Sequence, residues 1–321
     1  MTSALGLLRK VAFGISLEEV KFARRGFRAS NANAQKRLEQ IGDVFLQGYH
    51  AVLEEDAPEA LALRLRVVDT ELRGFAFEGA AMGLTLLDHL SLWNSKRLHT
   101  FLNGPGAAHI YMAHLGVGWA MARLPWLRRH MEQYLTRLDP LLCWLAVDGY
   151  GFHEGYFNWR RAIERHAIPD QLKGYARRVF DQGLGRSLWF VEGANVLQIA
   201  STIASFDSER HADLWSGAGL ACAYAGGVDQ AGVEAMRMAA QPYTPQLAQG
   251  VAFAAKARQR ANNPAAHTEM ACKVLCGLSC EAAALITDLA LESLPGDGEE
   301  PAYEVWRKRI HAQFAMEAVT A

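Results

Sequence analysis

Several phrases of this 321-residue chain occur twice in the same order, and this repetition constrains the fold more than any other feature. The segment 73–80 (RGFAFEGA) recurs at 186–194 (RSLWFVEGA) with one residue inserted, and 116–122 (GVGWAMA) recurs at 217–223 (GAGLACA). Ordered recurrence of this kind indicates an internal duplication, in which the copies pack together to bury a shared core. We therefore expect a first half at 1–160 and a second half at 161–321, packed as one globular unit.

Helical periodicity extends along most of the chain, and strand signals are nearly absent. Leu61, Leu65 and Leu72 lie on one face of a charged segment. Proline, glycine and asparagine breakers divide the remainder into pieces of helical length, including helices expected at 211–224, 229–240 and 245–260. The sequence therefore predicts an all-α fold of duplicated, tetratricopeptide-like helical hairpins that form a bundle or superhelix.

The overall composition and charge bear on which kinds of molecule the protein binds. Half of the residues are hydrophobic and the formal net charge is −1, so no strong positive field draws the chain toward nucleic acid. The five cysteines are odd in number and stand in apolar helical phrases, which does not suit a disulfide framework. We expect a cytoplasmic protein that does not bind nucleic acid, and the sequence leaves a homodimer open.

One segment, 98–122, contains no aspartate, glutamate, lysine or arginine and is long enough to span a bilayer. It also contains three histidines and four glycines, and Gly104-Pro105-Gly106 breaks a helix near its start. We therefore expect a buried segment and no membrane span.

Two glutamates stand out in the repeated phrases. Glu78 and Glu192 each lie in an apolar stretch directly before a glycine. A buried carboxylate must be paired, be protonated or face a cavity. One interpretation is an ion pair with an arginine such as Arg73 or Arg186. The other is a pair of carboxylates, one from each half, that line a shared pocket and have pKa values raised by burial for acid/base chemistry.

Histidines and aromatic residues supply the other candidate site groups. His114 lies in the uncharged segment, and His153 lies in the glycine- and aromatic-rich stretch 148–157, which suits close approach to a ligand. The alternatives are a satisfied core histidine and a tightly packed turn. Arg186 is expected to orient the ligand, and the expected pocket walls are Trp119, Phe152, Tyr156, Trp189 and Trp215.

Several motifs are missing from the chain. There is no Walker loop, nucleophile elbow, HExxH or CxxC motif, and Gly183-Leu-Gly185 does not follow a strand as a dinucleotide fingerprint would. The sequence therefore identifies no cofactor and no metal ligand set.

Five phrases together resemble a bacterial family of unknown function whose members are often found in enediyne and related polyketide biosynthetic gene clusters. The phrases are FAFEGAAMG at 75–83, HLGVGWAMAR at 114–123, DGYGFH at 148–153, RRVFDQGLGRSLW at 177–189 and DLWSGAGL at 213–220. The resemblance covers roughly residues 10–290. It implies secondary metabolism and a hydrophobic, unsaturated substrate, but it provides no established active site.

We therefore expect a pathway enzyme that binds a hydrophobic polyketide or polyene intermediate and catalyses acid/base cyclisation or isomerisation. Glu78, His114, His153 and Glu192 are the expected acid/base residues. The first alternative is a non-catalytic helical-repeat scaffold that shields the intermediate or recruits a polyketide synthase or another pathway enzyme. The second alternative is a metal-dependent oxygenase that uses His109, His114, His153 and a glutamate.

Overall fold

The computed structural model describes residues 4–29, 31–91 and 96–320, and these residues form helices and turns with no β-strand. The α-helices are α1 (Ala4–Phe13), α2 (Phe22–Arg25), α3 (Ala32–Glu54), α4 (Pro58–Arg66), α5 (Arg73–Leu90), α6 (Arg97–Leu102), α7 (Ile110–Arg123), α8 (Pro125–Arg129), α9 (Met131–Leu135), α10 (Cys143–Phe157), α11 (Tyr175–Val191), α12 (Val196–Ala204), α13 (Ser208–Ala225), α14 (Gln230–Ala239), α15 (Thr244–Ala261), α16 (Ala266–Ala271), α17 (Cys280–Leu289) and α18 (Ala302–Thr320). Short 3₁₀ turns (Leu17–Val20, Ala107–His109) and π turns (Arg160–Glu164, Cys272–Cys276) connect some of them.

Seven of these helices form a continuous series in which each packs against the next. The order is α3, α5, α7, α10, α11, α13 and α15, and both α17 and α18 pack on α15. This arrangement confirms the all-α fold class. The tetratricopeptide-like superhelix and the division at residue 160 stay predictions, although α10 and α11 pack closely across that boundary.

A glycine makes the close approach possible at each step of the series. In each case a Cβ atom would overlap a backbone carbonyl of the preceding helix. The glycines, with the residues that supply those carbonyls, are Gly79 (Phe45), Gly116 (Glu78), Gly149 (Leu115), Gly183 (Asp148), Gly217 (Gln182) and Gly250 (Ser216). They recur roughly every 34 residues, a spacing typical of helical repeats.

This short repeat changes the interpretation of the duplicated phrases. The phrases at 116–122 and 217–223 occupy corresponding places, because each carries the contact glycine of its own helix. Glu78 and Glu192 do not correspond. Glu78 lies in the middle of α5, whereas Glu192 caps the C-terminal end of α11. The prediction that the two glutamates are equivalent is wrong, since similarity of a short phrase does not fix its position along a helix.

The segment between α1 and α3 crosses the helical series, and we call residues 14–28 the N-terminal strap. The backbone N–H of Arg28 donates to the carbonyl of Val191, 2.8 Å away, at the end of α11. The indole N–H of Trp159 donates to the carbonyl of Arg25 at 3.0 Å. The strap is therefore held by segments far away in the sequence.

Within the described part of the chain, no single helix has the length and apolar composition needed to cross a bilayer. One bent pair, Ala266–Cys276 with Cys280–Leu289, meets that test by length and composition.

Replacing Gly149 with alanine should lower the free energy of unfolding by about 1–3 kcal/mol, because the new methyl group meets the carbonyl of Leu115. Urea denaturation followed by circular dichroism measures the loss. Gly296→Ala is the matched control, since nothing lies within 4 Å of its added methyl group. Equal stability of the two variants would contradict the role of glycine in the helical series.

Candidate active site

A central cavity lies among α3, α5, α7, α10, α11 and α13. Its walls are mostly aromatic and aliphatic, and strap residues Ile15 and Val20 form part of them. Among the described lining residues, Glu78 and Arg186 carry the charged groups. The volume that the centre of a water molecule can occupy in this cavity is about 50 Å³, which is enough for a few water molecules.

Glu78 is 3% exposed and faces this cavity from the middle of α5. The indole N–H of Trp119 donates to its Oε1 at 3.1 Å, and Nη2 of Arg186 lies 3.8 Å from the same oxygen. Loss of hydration raises the pKa of Glu78 to about 7, even though the positive charge of Arg186 opposes the shift. The carboxyl group therefore exists in both protonation states near neutral pH.

Arg186 joins Glu78 to a second buried carboxylate. One guanidinium nitrogen donates to Oδ1 of Asp148, and Nε2 of Gln182 donates to Oδ2 of Asp148 at 2.8 Å. Burial raises the pKa of Asp148 as well, and Arg186 counteracts that rise. Together the two carboxylates and one guanidinium form a buried cluster with a single unmatched negative charge when both acids are ionised.

Asp148 and Gln182 are not among the site residues expected from the sequence. A signal for both exists in the repeat, because each directly precedes the contact glycine of its helix, as Glu78 does. That position is buried beside the next helix, so a polar side chain there needs a partner in the interior.

Three of the five aromatic residues expected as ligand walls lie at this cavity, and their contact with a ligand stays a prediction. Trp119, Phe152 and Tyr156 line the cavity. The ring centroids of Trp119 and Phe152 are 5.2 Å apart, and those of Trp119 and Phe45 are 4.4 Å apart. The guanidinium of Arg186 lies 4.8 Å from the centre of the Phe152 ring, which holds the cation against an aromatic face.

The prediction that Trp189 and Trp215 form walls of this cavity is wrong. Both are buried, but neither lines it. The indole N–H of Trp189 instead donates to the carbonyl of Gly226 at 2.8 Å, which fixes the end of α13. An aromatic ring near a candidate site residue in sequence can point to another face of its helix, since successive helical residues are about 100° apart.

Glu192 does not line the cavity with Glu78, which contradicts the expected carboxylate pair. Its Oε1 accepts hydrogen bonds from Nη1 of Arg28 at 2.8 Å and from the hydroxyl of Thr202 at 2.9 Å. Because Arg28 belongs to the strap, this ion pair ties the strap to the end of α11.

His153 lies behind the cavity wall. Its ring meets that of Trp119 edge to face, with the centroids 5.6 Å apart, and its Nδ1 lies 3.4 Å from Oε1 of Glu154. Burial lowers the pKa of His153, and Glu154 works against that change. The structure thus places His153 next to a cavity residue, without making it part of the lining.

His114 is on the opposite side of α7 from the cavity. Met112 and Trp119, seven residues apart, face the cavity, whereas His114 lines a separate cleft beside α6 and α9. The prediction that His114 shares a pocket with Glu78 is therefore wrong.

The histidines proposed for an oxygenase are separated. His109 stacks on Phe77, with the ring centroids 4.0 Å apart, and lines neither the central cavity nor the cleft of His114. Among the residues that the structure describes, no group of three or more histidine, cysteine, aspartate or glutamate side chains is placed to hold a metal ion.

No curated protein and no solved structure is significantly similar to the chain. A family model described as "Protein of unknown function (DUF1702)" matches residues 4–314, which is nearly the whole chain. The chain therefore belongs to the DUF1702 family.

Proposed function

We propose that this protein is an enzyme that moves a proton on a hydrophobic polyketide- or polyene-type intermediate, and so isomerises or cyclises it. The observation that carries the proposal is Glu78, a carboxyl group with a pKa of about 7 at the wall of a mostly aromatic and aliphatic cavity. A general acid or base works best when its pKa lies near the operating pH.

Glu78 and Arg186 can act on the same substrate from adjacent positions. The ionised Glu78 would remove a proton from carbon beside a substrate carbonyl, while Arg186 stabilises the negative charge that develops on the carbonyl oxygen. The protonated Glu78 would then return the proton at another carbon. Trp119 donates to the carboxylate and fixes its orientation.

The small volume of the cavity means that a substrate cannot enter without movement of its walls. The volume of about 50 Å³ that is open to the centre of a water molecule is far smaller than an extended hydrocarbon chain requires. Strap residues Ile15 and Val20 form part of the wall, and the strap is anchored at its end by Arg28 and Glu192. We propose that displacement of the strap admits the substrate.

The biological setting is part of the same proposal. The sequence phrases resemble proteins of enediyne and polyketide gene clusters, which suggests a polyketide synthase or another pathway enzyme as the source of the substrate. The structure joins none of the five cysteines in a disulfide, which supports a reducing, cytoplasmic location. A homodimer is compatible with this activity, since the cavity lies within one chain.

A second candidate function is a non-catalytic binder that shields a reactive intermediate. The pairing of buried acids favours it. Asp148 pairs with Arg186, Asp181 with Arg210 and Glu192 with Arg28. Carboxylates paired in this way stabilise a rigid container. Glu78 differs from them, because its approach to Arg186 is the longest of the four.

Replacing Glu78 with glutamine should slow conversion of the pathway intermediate by about a hundredfold or more, because glutamine cannot exchange the proton. The unconverted intermediate should then accumulate in the producing organism. The purified variant should still bind that intermediate, as measured by isothermal titration calorimetry. Glu59→Gln, at an exposed position on α4, is the matched control and should turn over normally.

The outcomes separate the two functions. If the parent protein converts the intermediate and Glu78→Gln binds it without converting it, the result supports the enzyme. Unchanged turnover in Glu78→Gln contradicts it. An intermediate that binds to the parent protein and is never converted supports the binder.

A further inference from the structure

A second cleft lies on the far side of α7 from the central cavity. It runs between the C-terminal end of α5, α6, the start of α7 and α9. The volume open to the centre of a water molecule is about 610 Å³ in this cleft, many times the corresponding volume of the central cavity. A volume of this size suits a small organic molecule without any change in the fold.

His114 lies at the floor of this cleft with its protonation pattern fixed by the helix. Its Nδ1 is 2.8 Å from the carbonyl of Ile110, and a carbonyl oxygen only accepts, so Nδ1 must carry the hydrogen. Burial lowers the pKa of His114, which keeps the ring neutral. The other nitrogen, Nε2, is therefore a hydrogen-bond acceptor.

That acceptor has no partner among the described residues, although His114 is only 1% exposed. A buried acceptor without a donor is unfavourable, and a donor that reaches it gains the hydrogen bond and removes the penalty. Nε2 itself is shielded from solvent, so a ligand group reaches it only when the side chains that cover it move.

The rim of the cleft offers aromatic faces and the guanidinium of Arg137. Trp126 is 52% exposed, and the rings of His89 and Tyr134 meet with their centroids 5.1 Å apart. Arg137 is exposed and makes no ion pair or side-chain hydrogen bond within the described part of the chain. Its guanidinium is thus available to an anion.

The two acidic residues of the cleft are already occupied. Asp88 accepts hydrogen bonds from the backbone N–H groups of Arg97 and Leu98, both at 3.0 Å. Asp139 accepts from the backbone N–H groups of Leu141 and Leu142 at 3.0 and 2.9 Å. These hydrogen bonds engage both oxygens of Asp88 and one oxygen, Oδ1, of Asp139. Arg137 and His114 are the cleft groups whose chemistry suits an acidic ligand that also carries a hydroxyl group.

We propose that this cleft is a second binding site, separate from the central cavity, for a small aromatic hydroxy acid. The ligand's hydroxyl group donates to Nε2 of His114, its ring lies against Trp126 and Tyr134, and its carboxylate pairs with Arg137. The proposal does not depend on the activity of Glu78, because no cleft residue lines the central cavity.

The test is a titration of the intact protein with 4-hydroxybenzoate and with the longer 3-(4-hydroxyphenyl)propanoate, followed by calorimetry. We expect at least one of the two to bind, and His114→Phe to weaken it roughly ten- to hundredfold, because the acceptor is lost. His114→Gln restores an acceptor near the same place and should bind more tightly than His114→Phe. Arg137→Gln should weaken binding, whereas Arg129→Gln, exposed on α8, should not.

A second measurement keeps the proposal testable if a variant fails to fold. Long-range proton–nitrogen spectra of the parent protein with labelled histidine should show an unprotonated Nε2 for His114, whose resonance moves when the phenolic acid is added. Benzoate, which lacks the hydroxyl group, should not move it. Failure of both phenolic acids to bind, or equal binding of benzoate, would overturn the proposal.

Discussion

Replacing Arg186 with leucine should lower the free energy of unfolding by about 3–5 kcal/mol, the largest loss of stability that we expect from a single substitution in this chain. Arg186 is 4% exposed and is the cation between Asp148 and Glu78. Without Arg186, the carboxyl groups of Asp148 and Glu78 stay buried. Among the described residues, no other positively charged group lies within ion-pair distance of either one. Urea denaturation of the purified variant at pH 7 measures the effect.

The matched control is Arg24→Leu. Arg24 pairs with Glu19 at 3.1 Å, but its side chain is 63% exposed, so its removal should change stability by less than about 1 kcal/mol. Asp148→Asn combined with Arg186→Leu should restore part of the loss, because the double variant no longer buries an unpaired Asp148. A loss below about 1 kcal/mol in Arg186→Leu would show that the cluster is hydrated and would contradict the buried network.

Local signals in the sequence were sufficient to predict much of the helical structure. The helices expected at 211–224, 229–240 and 245–260 are confirmed as Ser208–Ala225, Gln230–Ala239 and Thr244–Ala261. Their ends follow from short-range chemistry. Gly226 and Asn262 adopt positive φ angles of 68° and 48° where α13 and α15 stop, and the side chain of Asp229 caps α14.

The candidate site was only partly predictable, because its assembly depends on contacts between distant segments. Glu78 and Arg186 were identifiable as charged residues in apolar helices. The partner of Glu192 was not, since Arg28 lies 164 residues away and belongs to a strap that carries no periodic pattern. The separation of His114 from the cavity of Glu78 was not predictable, because α7 is apolar on every side and the sequence does not show which helix covers each face.

The stability of the parent protein should fall by about 3 kcal/mol, relative to Glu78→Gln, as the pH rises from 4 to 8. The pKa of Glu78 is about 7 in the folded protein, above its ordinary value of 4.5. Between these two values the folded state holds a proton that the unfolded state has released. The contribution of Glu78 to stability is therefore fully present below pH 4.5 and is lost as the pH rises through 7.

Comparing two proteins that differ at one residue isolates this effect from other groups. Asp181, for example, has a pKa raised to about 6 by burial and contributes equally to both curves. Free energies of unfolding from urea titrations at each pH give the difference directly, and Glu59→Gln should run parallel to the parent throughout. A parallel curve for Glu78→Gln would mean that Glu78 is ionised and hydrated in the folded protein. Such a carboxylate would hold its negative charge across the neutral range and could not supply the proton that isomerisation requires.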